Sequence, residues 1–248
     1  MTHFAASFED CPSLILPNTS ERSIWQEVSR KVEGHVWLSE RNKGGKLMVN
    51  ELEESLLKKL ESSDKEVRRR AAWNDNATEA VLMKALANKD RGVRQGAATN
   101  WSATEAVLLK ALEDKDPEVR GRAAGNHNAT ERVLRKAIED EDPEVREAAA
   151  WNRNAPEDVV VRGIEDKDQR VRLEAAENQH ASESVLLKAV DDECPGVRKA
   201  AAENPNATEA VLLKALDDED QLVRKAAADN SSTTEAVLCK ALEDEDPD

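Results

Sequence analysis

Val-Arg pairs stand at positions 67, 93, 119, 145, 171, 197 and 223, so one 26-residue period is held seven times without an insertion. The same register carries Ala-Ala at 71, 97, 123, 149, 175, 201 and 227, and Asn at 74, 100, 126, 152, 178, 204 and 230. It also carries Glu at 79, 105, 131, 157, 183, 209 and 235. A 26-residue unit is too small to bury its own apolar side, so copies in register must stack and share one continuous core. The expected architecture is an all-α solenoid.

Each unit reads as two short helices. In "DPEVRGRAAGN", Asp116 is a natural N-cap, Pro117 suits the first helical turn, and Asn126 suits a left-handed stop. Val119 and Ala123 face inward, and the Ala123–Ala124 pair lets neighbouring backbones approach. A second helix begins near Thr130 with Val133, Leu134, Ala137 and Ile138 as its apolar stripe, and ends in the acidic turn "EDEDP". Two helices in so few residues make at least one of them about two turns long, with 3₁₀ geometry left open. Composition agrees: Tyr is absent and Phe occurs twice, so the core is aliphatic and alanine-rich, which suits close helix packing.

The run "VRKAAAENPNATEAVLLKALDDED", Val197–Asp220, resembles the leucine-rich repeat variant family, and the resemblance extends over residues 52–248. It implies alternating α and 3₁₀ helices stacked in a right-handed superhelix. The family pattern also includes an N-terminal cysteine cluster holding an iron–sulfur centre. Only Cys11 lies in the N-terminal segment here, so the cluster is not carried over. HEAT-like repeats are the near neighbour, with longer units. Residues 1–50 do not repeat and are expected to cap the array, with Trp25 and Trp37 over the open end of the solenoid at 51–248.

Charge and motifs narrow the function. The net charge of −15 argues against general binding to DNA or anionic membranes. It is uneven: Val171–Asp248 holds 19 acidic and 8 basic residues. No apolar stretch is long enough for a membrane span and no signal peptide is read. Three thiols without metal-ligand spacing fit a reducing cytoplasm. The acidic turns lack the glycine turn and distal Glu of a calcium loop, and His3, His35, His127 and His180 are scattered. No catalytic constellation, cofactor loop or metal site is expected, and the Glu copied into every unit reads as structural. Two basic rows, the seven Arg of the Val-Arg pairs and Lys or Arg at 84, 110, 136, 162, 188, 214 and 240, admit a phosphate-tracking reading. The structural reading is favoured: each Arg reaches the Asp four residues earlier, as Arg120 to Asp116, or the same Asp of a neighbouring unit. Cys194, in place of that Asp, is then a local weak point, and Cys239 is expected as a small core hydrophobe.

The positions flanking the turn Asn vary most. Before it come Trp73, Thr99, Gly125, Trp151, Glu177, Glu203 and Asp229; after it come Asp75, Trp101, His127, Arg153, Gln179, Pro205 and Ser231. Tryptophans that other copies replace by Gly, Glu or Ser are hard to account for as core. The expectation is a non-enzymatic scaffold binding another protein or an extended peptide along this strip, through Trp73, Asp75, Trp101, His127, Trp151 and Arg153. A nucleic-acid-directed protein, using the basic rows or an acidic decoy surface, is the first alternative. An enzyme on a HEAT-like scaffold is the second.

Overall fold

A computed structural model of the chain describes residues 44–243. The chain divides into two compact units, Met1–Glu51 and Leu52–Asp248. The expected cap with Trp25 and Trp37 lies outside the described residues, as does Cys11.

After α1 (Gly44–Lys59), the described residues form seven helix pairs. The first helices are α2 (Lys65–Ala72), α4 (Arg91–Thr99), α6 (Pro117–Ala124), α8 (Pro143–Trp151), α10 (Gln169–Glu177), α12 (Pro195–Glu203) and α14 (Gln221–Asp229). The second helices are α3 (Glu79–Leu86), α5 (Glu105–Ala111), α7 (Glu131–Ala137), α9 (Glu157–Ile164), α11 (Glu183–Ala189), α13 (Glu209–Ala215) and α15 (Glu235–Ala241). First helices pack on first helices and second on second, giving an α-helical solenoid two layers deep. Both helices of every described unit are α, not alternately α and 3₁₀. A 7-residue helix still closes a full α turn, because its last N–H groups find carbonyls three and four residues back.

Why these segments are helical is written at their ends. Asp64, Asp90, Asp116, Asp142, Asp168 and Asp220 each accept a hydrogen bond from the backbone N–H two residues on, satisfying a donor that a short helix leaves over. Cys194 stands at the same N-cap and makes no side-chain cap bond. In unit two the buried side is Val93, Ala97 and Ala98 from the first helix with Val107, Leu108 and Ala111 from the second. Its pattern recurs in the internal units. Cys239 does not join this core: it is exposed, on a rim position where its counterpart Leu213 is only partly covered.

Three polar ladders join the units. At Asn100, Asn152, Asn178, Asn204 and Asn230, φ runs from −59° to −64° and ψ from 127° to 137°. The expected left-handed stop is therefore absent; the helix leaves through an extended residue. That geometry points each amide at the preceding unit. Asn126 Nδ2 donates to Ala98 O at 2.8 Å and Asn100 O at 3.1 Å, while Asn128 N donates to its Oδ1 at 2.8 Å. Asn100, Asn152, Asn178, Asn204 and Asn230 repeat the inter-unit pair.

The second ladder corrects the arginine pairing. Arg146 is buried, and its fork grips Asp166 of the next unit, Nε to Oδ2 at 2.6 Å and Nη2 to Oδ1 at 3.0 Å. Arg94–Asp114, Arg120–Asp140, Arg172–Asp192 and Arg198–Asp218 match it. The partner stands two residues before the N-cap Asp, not at it, because the cap oxygen is already committed to its own helix. Nη1 of Arg146 also donates to Asp140 O and Glu141 O, closing the acidic turn of its own unit. Arg68 instead approaches the N-cap Asp90 at 3.5 Å, since Asn88 takes the place of the usual Asp. The third ladder runs along the second helices: Thr104, Thr130 and Thr208 donate to Glu79, Glu105 and Glu183 of the preceding unit at 2.6 Å.

These assignments separate two aspartates of one turn. Removing Asp166 strands a buried guanidinium, so Asp166→Ala is expected to cost about 3–5 kcal/mol, whereas Asp142→Ala loses a cap worth about 1 kcal/mol. Cys194→Asp restores a cap and raises the melting midpoint. Thermal or denaturant melts of the three variants check the order, and equal losses at Asp166 and Asp142 refute the pairing.

Candidate functional site

The strip residues are held by their backbone and released by their side chains. Each turn Asn accepts from the N–H two residues on, which fixes the turn. The residue at that second position then reaches back one unit. Ser102 Oγ donates to Asp75 O at 2.5 Å, Asn128 Nδ2 to Trp101 O at 2.7 Å and Asn154 Nδ2 to His127 O at 2.7 Å. The carbonyls of the strip are thus tied into the stack while its side chains point outward.

Trp73, Trp101 and Trp151 are 51%, 69% and 61% exposed. Asp75 and Arg153 are exposed and His127 is half-buried. The expected single strip resolves into two rows. Trp101 and His127 sit in successive turns with ring centroids 4.0 Å apart, tilted by 40°. Trp73 and Trp151 instead close the first helices of their units and stand exposed there. The Trp73 indole rests on Gly96 of the next unit so closely that a Cβ there would stand 2.7 Å from Cδ1 and 2.8 Å from Nε1. Further along the same layer, Lys199, Glu203, Leu222, Lys225, Ala226 and Asp229 line an open groove of about 410 Å³.

The first-helix face also holds groups that no motif singled out. Gln95 Nε2, Thr99 Oγ1, Glu147 Oε2 and Glu174 Oε2 are shielded from solvent without a hydrogen-bond partner. Burial, then the nearby charges of Glu177 and Glu147, push the Glu174 carboxyl up to about 7. The only sequence signal was a Glu at 174 where other copies carry Ala, Gly or Arg.

Both basic rows pair with acidic or carbonyl groups of the stack. The arginines of the first row are engaged as described, Arg224 donating to Asp218 O and Glu219 O; in the second row Lys110 meets Glu113 three residues ahead, and the others pair with carboxylates 23 residues back. Lys84 meets Glu61 at 2.6 Å, Lys136 meets Glu113 at 3.3 Å, and Lys214 meets Asp191 at 2.5 Å. Arg162–Glu139 and Lys188–Glu165 continue the row. Along the second helices these cations thus alternate with acidic neighbours. Among the described residues no group of three His, Cys, Asp or Glu is arranged to hold a metal ion, and no helix is long and apolar enough to cross a membrane.

No family model and no curated protein matches the chain. A solved structure described as a leucine-rich repeat variant with a novel repetitive structural motif is similar at 28% identity, covering 71% of this chain and 70% of that one, with a TM-score of 0.55. The chain is thus similar to a leucine-rich repeat variant in fold and in repeat sequence, as Val197–Asp220 implies. An engineered protein aligns at 21% identity over 77% of this chain and 96% of that one, with a TM-score of 0.32. A designed armadillo repeat protein, solved with the peptide (KR)4, aligns at 20% identity over 90% and 95%, with a TM-score of 0.25. Both likenesses are too distant to carry an argument.

Glu174 yields a pH prediction. Between its ordinary value of 4.5 and about 7 the folded chain keeps a proton that the unfolded chain has lost. Stability therefore falls as pH rises through that window, and the penalty is complete above it. Glu174→Gln is expected to raise the melting midpoint at about pH 8 and to leave it unchanged near pH 4. Melts across this range decide, and an unshifted midpoint at the higher pH overturns the assignment.

Proposed function

We propose that the chain is a non-enzymatic repeat scaffold that binds another protein, or an extended peptide, along the outer ends of its first helices and the turns that follow. One observation carries the reading: three tryptophans stand more than half exposed on a surface whose backbone is locked by two hydrogen-bond ladders. Exposed indoles are costly to leave in water and are the side chains most enriched at interface hot spots. A rigid backbone beneath them lowers the entropy lost on binding. Trp73, Trp101 and Trp151 are the anchors; Asp75, His127 and Arg153 supply polar contacts. The solved repeat protein it resembles supports the repeat scaffold itself. Units stacked at about 8–10 Å separate Trp73 from Trp151 by roughly 25–30 Å, a span of about eight extended residues.

Selection from a displayed random-peptide library tests the proposal. Wild type is expected to enrich a peptide family that the Trp73→Ala, Trp101→Ala, Trp151→Ala variant does not. The variant should remain folded, with single losses ordered Trp73 above Trp101, because Trp73 has more covered surface. A variant that unfolds makes the rings core, and a folded one that selects the same peptides removes the strip as the site.

A further inference from the structure

One turn of the array breaks two ladders at once. The turns before α6, α8, α10, α12 and α14 carry a carboxylate pair, Glu-Asp or Asp-Asp, at 113–114, 139–140, 165–166, 191–192 and 217–218. Before α4 the same two places are Ala87 and Asn88. Lys110, whose partner would stand 23 residues back at Ala87, turns to Glu113 at 3.1 Å, a carboxylate that Lys136 already meets at 3.3 Å. Arg68, whose partner would stand 20 residues ahead at Asn88, is 8% exposed and has no acceptor for its Nε. Its Nη1 donates to Ser62 O and Ser63 O, and its Nη2 comes only within 3.5 Å of Asp90 Oδ2. Asn88 Oδ1 accepts from Asp90 N, as Asp114 Oδ1 accepts from Asp116 N. The amide therefore puts an NH2 group where a carboxylate has its second oxygen, and that group finds only Leu60 O at 3.5 Å. A buried guanidinium without a close anion is costly, and five other units avoid it.

The same turn is open to solvent. Asn88 lines a groove of about 330 Å³ with Leu86, Lys89, Lys110 and Lys115, between the turns that start α4 and α6. Two acids on its wall are committed, Asp114 to the Arg94 fork and Glu113 to two lysines. Lys89 and Lys115 are exposed and make no ion pair among the described residues. Val67–Gly92 holds six basic and three acidic residues, in a chain whose net charge is −15.

We propose that this groove seats carboxylate side chains of a short acidic segment from a partner protein. What the repeat places here in five other turns is a pair of adjacent carboxylates; Ala87 and Asn88 withdraw the pair and leave its cations. An incoming carboxylate receives charge-assisted bonds from Lys89, Lys110 and Lys115 and a bond from the Asn88 NH2 group. The Arg68 charge, buried beside the same turn, adds its attraction. Acidic turns follow on the same edge and repel a long polyanion, so a nucleic-acid backbone fits the site poorly. The groove lies at the starts of the first helices and the tryptophans at or just past their ends, so this inference goes beyond the strip and does not rest on it.

The test uses two labelled octapeptides, alternating glycine with glutamate or glycine with glutamine. Salt at about 0.15 M screens charges farther than about 8 Å. The protein as a whole repels the glutamate peptide, so a preference for it arises only locally. Fluorescence anisotropy is expected to show the glutamate peptide bound about tenfold tighter. Ala87→Glu with Asn88→Asp supplies the repeat's own carboxylates. It should erase the preference and raise the melting midpoint, since Arg68 and Lys110 regain partners. Lys89→Gln with Lys115→Gln should erase most of the preference and leave the midpoint unchanged. Ala210→Glu with Ala236→Glu adds the same charge at exposed positions of α13 and α15 and should keep the preference. Equal binding of the two peptides by wild type overturns the proposal. So does a preference that survives Ala87→Glu with Asn88→Asp, or one that disappears with Ala210→Glu and Ala236→Glu. A labelled single-stranded octanucleotide that outbinds the glutamate peptide, and is lost with the groove variants, overturns the choice of a protein segment. Wild-type dimers that the filled groove cannot form also overturn it, placing the acidic units of a second copy there. The Trp73→Ala, Trp101→Ala, Trp151→Ala protein should keep the preference, so failure of the strip and failure of the groove are read separately.

Discussion

The structure depends on polar groups of one unit being satisfied by the next. A helix of 7 to 9 residues is marginal by itself and leaves its last carbonyls unbonded. Here Ala98 O and Asn100 O, at the end of one first helix, are met by the Asn126 amide 26 to 28 residues later. The acidic turn has the same dependence, since Asp140 needs Arg120 behind it and its own carbonyl needs Arg146 ahead of it. A single unit would expose an alanine face and bury nothing; a stack converts each unsatisfied end into a bond. Cooperativity between neighbours follows from this geometry more than from the size of any side chain.

That arrangement also explains the division between constant and variable positions. The turn Asn, the Arg of the Val-Arg pair and the Asp two residues before the N-cap each serve two units at once, so a change costs two sets of contacts. The residues on either side of the Asn contribute only backbone to the ladders and can be Trp, Gly, Glu or Pro without breaking them. The fold therefore supplies a rigid row of sites whose side chains answer to something other than stability. Glu174 shows the principle at its limit, because a carboxylate in that place is held at a cost to the free protein.

The period was legible because the chain writes it seven times. Helix starts were legible too: Asp116–Pro117 and Thr130 signal them locally, and the helices begin there. The Asn was misread because a local sequence suggests a local role, and left-handed stops are what Asn commonly makes at helix ends. Its bonding partner lies more than twenty residues back. The arginine was given the N-cap aspartate of its own or a neighbouring unit, which only Arg68 approaches, when its usual partner was twenty residues ahead and the near one was busy as a cap.

The sequence by itself determined the solenoid, its two-helix unit, its aliphatic core and the variable positions of its surface, because each follows from spacing within about one turn or from plain repetition. The tertiary structure decided which atoms pair across units, that Trp73 lies on Gly96, and that Glu147 comes near enough to Glu174 to bear on its charge. Those depend on how far each unit shifts and turns against the last, and that offset is set by packing in three dimensions, where residues 20 to 28 apart along the chain become nearest neighbours.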